Sequence, residues 1–135
     1  MDQQSLVTAL YTKLMTSGST HPAALVSSRI AEGEGPFDED FPRLLFHVVT
    51  DPPDSTFERR NVNADVQIDV FGKKSLGSAA VRAVTDAVKT LLDGSSITVT
   101  GCTGGNIVVM DRGKRTTEGD VLRVTQMYRV RATEA

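Results

Sequence analysis

A strict alternation of apolar and polar residues between positions 60 and 71 constrains the fold more than any other feature of this sequence. Five apolar residues alternate there with five polar ones: Val62, Ala64, Val66, Ile68 and Val70 with Asn61, Asn63, Asp65, Gln67 and Asp69. Successive side chains of a β-strand point to opposite faces, so the pattern predicts a strand with one buried face and one face in water. A sheet with an uncovered face is typically antiparallel and carries its helices on the other side.

Two segments have the spacing of amphipathic helices. In residues 2–16, Leu6, Leu10 and Leu14 recur every four residues and form one apolar stripe. Alanines, valines and leucines fall on one face of the segment 76–92, for which Ser75 is the predicted N-cap. The run 21–29 is compatible with either a helical turn or an extended chain.

Further strands are predicted from β-favouring runs at 44–49, 97–100, 106–111 and 122–132. Gln126 interrupts the apolar face of the last strand, which indicates a sheet edge or a bulge. Three stretches rich in glycine, proline or charge are predicted to be loops: 33–42, 51–59 and 111–120.

The resulting order is helix, strand, strand, helix, strand, strand, strand. It predicts an α+β fold, a two-layer sandwich in which two helices pack on one face of a mainly antiparallel sheet of four to five strands. A chain of 135 residues is the size of one domain, so residues 1–135 are predicted to form a single domain.

Composition narrows the range of functions. The formal net charge of -2 disfavours a protein that grips nucleic acid tightly, because such domains carry a basic excess. The single cysteine, Cys102, cannot form an internal disulfide and is typical of a reducing compartment. Since the sequence also lacks an apolar run of membrane-spanning length and the pattern of a signal peptide, we expect the protein to fold in the cytoplasm without a membrane partner.

No catalytic or cofactor-binding pattern is present, so we expect neither enzymatic activity nor a cofactor. His21 and His47 fall in different predicted elements without a second metal ligand nearby in sequence, and Cys102 has no evident base or orienting partner. The glycine-rich stretch 101–105 lacks the spacing of a phosphate-binding loop and precedes a strand instead of a helix.

The predicted wet face of the sheet carries charges of both signs. If the strand at 60–71 neighbours the last strand, Asp65 and Asp69 lie opposite a row of arginines formed by Arg123, Arg129 and Arg131. Such cross-strand pairs stabilise a sheet. The same face is alternatively a contact surface for another copy of the protein or for passing DNA, where ordered charge selects the register of the contact.

The layout as a whole resembles the tail terminator proteins of long-tailed bacteriophages, also called tail completion or tail-to-head joining proteins. The similarity spans nearly the whole chain. It rests on segments that follow the leading helix in a characteristic order: AALVSSRIAEGEGP, FPRLLFHVV, RRNVNADVQIDVFGKKS, SAAVRAVTDAVKTLLDG and DVLRVTQMYRVRAT. The long charged stretch 111–120 departs from what we expect of the family.

This resemblance implies a structural virion protein of the tail–neck region, assembled in the host cytoplasm. Proteins of this kind cap the growing tail tube, end its polymerisation and form a ring-shaped joint to the head connector. The implied partners are further copies in a hexameric ring, the tail tube protein, and a connector or stopper protein, with DNA passing through the lumen without specific binding.

Two sets of residues are the candidates for these contacts. The set predicted to face a ring neighbour or the lumen is Asp65, Gln67, Asp69, Arg123, Arg129 and Arg131. The set predicted to contact tube or connector lies in the three loops: Glu34, Asp38, Glu39, Asp54, Phe57, Arg112, Lys114 and Arg115.

Two alternative functions are consistent with the sequence. One is another neck component, such as a head-completion or stopper protein. The other is a small ligand-binding or hydrolytic α+β domain, which requires a pocket that brings His47, Cys102 and an acid together.

Overall fold

The computed structural model describes residues 3–33, 41–50, 53–55 and 60–134. These residues form three α-helices, α1 Gln3–Leu14, α2 Pro22–Leu25 and α3 Ala79–Leu92, with a 3-10 turn at Lys74–Leu76. The strands are β1 Ile30–Glu32, β2 Arg43–Thr50, β3 Pro53–Ser55, β4 Arg60–Lys73, β5 Cys102–Glu118 and β6 Val121–Glu134.

All six strands belong to one sheet in the order β1-β2-β4-β6-β5, with β3 paired to β4. The pair β1–β2 is parallel and the remaining pairs are antiparallel. The predicted α+β class and the mainly antiparallel sheet are therefore confirmed. The strand number is higher than the predicted four to five because β1 and β3 have only three residues each, which is too short for an alternation pattern to be recognised.

The core lies between the sheet and helices α1 and α3. The predicted stripe of Leu6, Leu10 and Leu14 is buried, and so are Val84 and Val88 of α3. These side chains join one apolar cluster with the inward residues of β4 and β6, among them Ala64, Val66, Ile68, Val70, Tyr128 and Val130. The apolar half of the alternation in β4 is thus the core half, as the period of two predicted.

The prediction of a loop at 111–120 is wrong for most of its length. Strand β5 continues through Glu118, which pairs with Val121 of β6, so only Gly119 and Asp120 make the turn. Gly119 has a φ of 60°, a left-handed conformation that two-residue hairpin turns require. A strand is held by its backbone ladder, and β6 supplies that ladder whether or not the side chains of β5 are apolar.

The prediction of a strand at 97–100 is also wrong. Residues 97–100 have no strand pairing, and the one isolated bridge nearby joins the preceding Ser96 to Asn106. Ile97 and Val99 are nevertheless buried against the core. The apolar pattern of this segment therefore indicates burial of its side chains and not strand pairing.

Helix α3 begins later than predicted, at Ala79, so Ser75 is not its N-cap. The backbone N–H and hydroxyl of Ser75 instead donate to the Asp120 carboxylate in the β5–β6 turn, at 3.0 and 3.1 Å. The run 21–29 contains the short helix α2, which has Pro22 at its first position, where the missing N–H of proline costs no hydrogen bond.

Gln126 is next to a bulge, one of the two situations that the sequence indicated. Strand β6 lies between β4 and β5, so Gln126 is not at a sheet edge. Two residues of β5, Arg112 and Gly113, lie between the partners of Met127 and Thr125 and oppose Gln126 alone. The Gln126 amide is buried and donates to the carbonyl of Thr85 in α3 at 3.4 Å.

Candidate assembly surface

The sheet face turned away from α1 and α3 is here named the open face. It presents the side chains that alternate with the core residues of β4 and β6: Asn63, Asp65, Gln67, Asp69 and Phe71 with Arg123, Thr125, Met127, Arg129 and Arg131. Strands β4 and β6 are direct neighbours, so the six residues predicted to face a ring neighbour or the lumen lie together on this face. Their role in assembly stays a prediction.

Asp69 is the centre of a hydrogen-bond network on the open face. Its carboxylate accepts Nε and Nη2 of Arg123, each at 3.1 Å, and the Thr125 hydroxyl at 2.6 Å. The Gln67 amide donates to the same carboxylate at 3.1 Å. Asp69 is only 1% exposed, so its contribution to the surface is to position the side chains that donate hydrogen bonds to it.

Two buried apolar residues accompany the network around Asp69: Leu45, its register partner on β2, and Phe71, two residues further along β4. Leu45 and Phe71 are both buried, although neither belongs to the main core between helices and sheet. The Arg123 guanidinium carbon lies 5.7 Å from the centre of the Phe71 ring, within the range of a cation–π contact. Arg123 is therefore held from two sides, by a carboxylate and by an aromatic ring.

Asp65 and Arg129 form a second ion pair on the open face. They are directly opposite each other in the β4–β6 register, and Nε of Arg129 lies 2.8 Å from an oxygen of Asp65. The hydrogen bond and charge of Asp65 raise the pKa of the Arg129 guanidinium above its usual value. Two of the three arginines on this strand face are therefore neutralised within the chain.

Arg131 is the third arginine of the row and is exposed. Its register partners are Asn63 on β4 and Asn106 on β5, which are uncharged. Within the described part of the chain, Arg131 thus retains a charge without a facing carboxylate.

The residues predicted to contact tube or connector are only partly described. Arg112, Lys114 and Arg115 lie in β5 at the edge of the sheet, and the side chains of the last two are exposed. Asp54 lies in β3 and not in a loop. The predicted contacts Glu34, Asp38, Glu39 and Phe57 lie outside the described residues.

Two surface features of the structure were not predicted from the sequence. The first is a bulge in β5, where Met110 has no partner between Val109 and Asp111 and is 51% exposed. The second is a groove of about 380 Å³ between α1 and the segment 96–100. Sequence periodicity contains a signal for neither, because the bulge depends on strand register and the groove on how two distant segments pack.

The pocket required by the ligand-binding alternative is not assembled. His47 is on β2 and Cys102 begins β5, and strands β4 and β6 lie between them. Three strand spacings correspond to about 14 Å. Among the described residues no group of three or more His, Cys, Asp or Glu side chains is arranged to hold a metal ion. No helix in the same residues has the length and apolar character to cross a membrane.

Solved structures share this architecture. A chain from the virion of a native gene transfer agent particle superposes with a TM-score of 0.71 at 20% sequence identity, covering 95% of this chain and 94% of that one. A second solved structure gives a TM-score of 0.69 at 17% identity, covering 98% of this chain and 96% of that one. At these identities the likeness establishes the fold. No curated protein sequence matches the chain significantly.

Sequence comparison with protein families identifies one over nearly the whole chain. The family described as tail completion protein gp17 matches residues 8–133. The match includes α2, α3, strands β1 to β5, all but the last residue of β6 and most of α1, and therefore every described candidate residue. This chain belongs to the tail completion protein family and is a structural protein of the bacteriophage virion, located in its tail region.

Proposed function

We propose that this chain, acting as one domain over residues 1–135, caps the tail tube, ends its polymerisation and forms a ring-shaped joint to the head connector. The observation that carries the proposal is the family match over residues 8–133. A structural family also supports a role without catalysis. The ring is a homo-hexamer assembled in the host cytoplasm, and its other partners are the tail tube protein and a connector or stopper protein.

The open face supports a place along the path of the DNA. A channel that DNA must traverse should offer few free cations, because each arginine or lysine that contacts a phosphate strengthens binding. Arg129 and Arg123 are bound to Asp65 and Asp69, so they present neutral pairs to the lumen. Arg131 keeps its charge without a facing carboxylate among the described residues, and Gln67 is uncharged. Together they complete this face, which DNA passes without specific binding.

The other candidate contacts belong to the ends of the ring. Lys114 and Arg115 on the edge strand β5 and Asp54 on β3 lie outside the paired charges of the open face. We propose that they contact the tube or the connector, together with Arg112, Phe57 and the acidic residues Glu34, Asp38 and Glu39. A heterologous ring closes on itself and leaves two different end surfaces for two different partners.

Light scattering over a concentration series, with and without purified tail tubes, tests the proposal. We expect either a closed hexamer in solution or a monomer that forms rings at tube ends. Electron microscopy of tubes polymerised with the protein present should show capped ends and a narrow length distribution. A protein that stays monomeric with tubes and leaves their length unchanged would contradict the capping role and favour another neck position.

A further inference from the structure

The groove between α1 and the segment 96–100 has a mixed lining and one charged residue. Its floor and walls include Ala9 and the buried Ile97, together with Thr8, Thr12 and Thr98, which offer methyl groups and hydroxyls. Lys13 is the charged residue among the lining side chains, and it has no ion pair within the described part of the chain. The groove therefore suits an apolar side chain accompanied by a carboxylate.

The bulge in β5 presents this combination. Met110 is the most exposed large apolar side chain among the described residues, at 51%. The adjacent Asp111 is exposed and accepts the backbone N–H of Gly113 at 3.1 Å, which fixes its carboxylate at the rim of the bulge. Methionine is unbranched and flexible and adapts to irregular grooves.

We propose that the Met110–Asp111 bulge of one copy docks into the α1 groove of the next copy in the ring. Met110 packs against Ala9 and Ile97 of the neighbour, and Asp111 pairs with the neighbour's Lys13. This inference rests on the proposed ring and names the contact that builds it.

Charge complementarity identifies the occupant as a second copy. The groove's cation and the bulge's anion are both without an opposite charge in the described residues, and neither β5 bulge residue lines the groove of its own chain. The two surfaces are different, so each copy gives one and receives the other. Such a heterologous contact repeats from copy to copy and can close into a ring, whereas a self-complementary patch stops at a dimer.

A charge swap tests the pairing directly. Lys13→Glu and Asp111→Lys are prepared singly, together in one chain, and as an equal mixture of the two single variants. We expect each single variant to weaken ring formation about tenfold or more, which is about 1.4 kcal/mol. The double variant and the equal mixture should recover wild-type assembly, because every contact then again joins opposite charges.

The apolar half of the contact has a matched control. Met110→Ser should weaken assembly, while Tyr11→Ser should leave it unchanged. Tyr11 is similarly exposed, at 43%, and lies on α1 without lining the groove. Far-ultraviolet circular dichroism and the urea midpoint of each variant establish that loss of assembly is not loss of folding.

The readout is mass by light scattering, with and without tail tubes. If the wild type forms rings and both single charge variants assemble as well as the wild type does, this contact is overturned, whereas the proposed ring is not. Failure of both the double variant and the mixture to recover assembly would also overturn it. A wild-type protein that is monomeric under both conditions would overturn the ring itself and this contact with it.

Discussion

Arg123 reaches diagonally across the sheet to Asp69, although the register partner of Asp69 is Thr125. Its Nε and Nη2 atoms each lie 3.1 Å from an oxygen of the Asp69 carboxylate, and Thr125 donates to one of these oxygens from directly opposite. One buried carboxylate thus accepts hydrogen bonds from two successive outward residues of β6. This arrangement explains how a charged side chain is accommodated at 1% exposure on the sheet face turned away from α1 and α3.

Replacing Asp69 with Asn should destabilise the fold. Arg123 would lose its counter-charge next to buried Phe71, and Thr125 its charged acceptor. We expect the free energy of unfolding to fall by about 2–4 kcal/mol, measured by urea denaturation. Asp65→Asn is the matched control, and its effect should be markedly smaller because Asp65 is partly exposed. Equal losses in the two variants would contradict the special role of Asp69.

Tyr128 should limit stability at alkaline pH. Burial raises the pKa of its phenol well above the usual value near 10, and the charge of Asp93 raises it further. The folded state therefore holds this proton more tightly than the unfolded chain does. The stabilisation is complete below the unfolded pKa and is lost as the pH rises toward the folded one, by up to about 1.4 kcal/mol per pH unit above 10.

The variant Tyr128→Phe removes this titration while keeping the buried ring. Within the described residues the Tyr128 hydroxyl has no hydrogen-bond partner, so its removal should cost little near neutral pH. Urea denaturation between pH 8 and pH 11 should show a shallower loss of stability than in the wild type. Tyr11→Phe, which changes an exposed tyrosine, should keep the wild-type pH dependence. If the stability of Tyr128→Phe fell as steeply with pH as that of the wild type, Tyr128 would not be the residue that limits stability at alkaline pH.

Gly72 sets how closely helix α3 lies on the sheet. A methyl group at this position would collide with Cγ2 of Val81 in α3. Gly72→Ala should therefore lower the free energy of unfolding by about 1–3 kcal/mol. Adding Val81→Ala should relieve the collision, so that the double variant loses at least about 1 kcal/mol less than the sum of the single losses.

The control for this double-mutant cycle is Val84→Ala, which also truncates a buried valine of α3. The losses in the free energy of unfolding from Val84→Ala and Gly72→Ala should be additive, because the added methyl group would contact Val81 and not Val84. If the losses from Gly72→Ala and Val81→Ala were also additive, the proposed contact between α3 and Gly72 would be contradicted.

Asp65→Asn should make the open face bind DNA more strongly. Removing the carboxylate frees Arg129 to contact phosphates, if this face lines the channel as proposed. We expect the plot of log affinity against log salt to steepen by about 0.9 for each freed arginine that reaches a phosphate. Fluorescence anisotropy with a short duplex measures this slope. Asp86→Asn changes the net charge equally on the exposed side of α3, and it should leave the slope unchanged.

The alternation in residues 62–70 and the leucine stripe of α1 were sufficient to predict the two layers and the open face. These features are local, because the period of a strand or a helix decides which side chains share a face. Identifying Asp65 and Asp69 as opposite to the arginines needed only the further assumption that β4 and β6 are neighbours. That assumption is confirmed by the register in which Asp65 faces Arg129.

Local patterns along the chain were therefore enough to predict the α+β class, the residues of the core stripes and the composition of the open face. That residues 112–118 form a strand became clear only from the fold, since a backbone ladder comes from the partner strand and not from the strand's own side chains. The burial of Asp69 likewise depends on the fold. Its carboxylate is bonded by Arg123 from a diagonal position, and that position is set by the register of β4 and β6. The groove beside Lys13 and the bulge at Met110 arise from the packing of segments distant in sequence, and no local period encodes such packing.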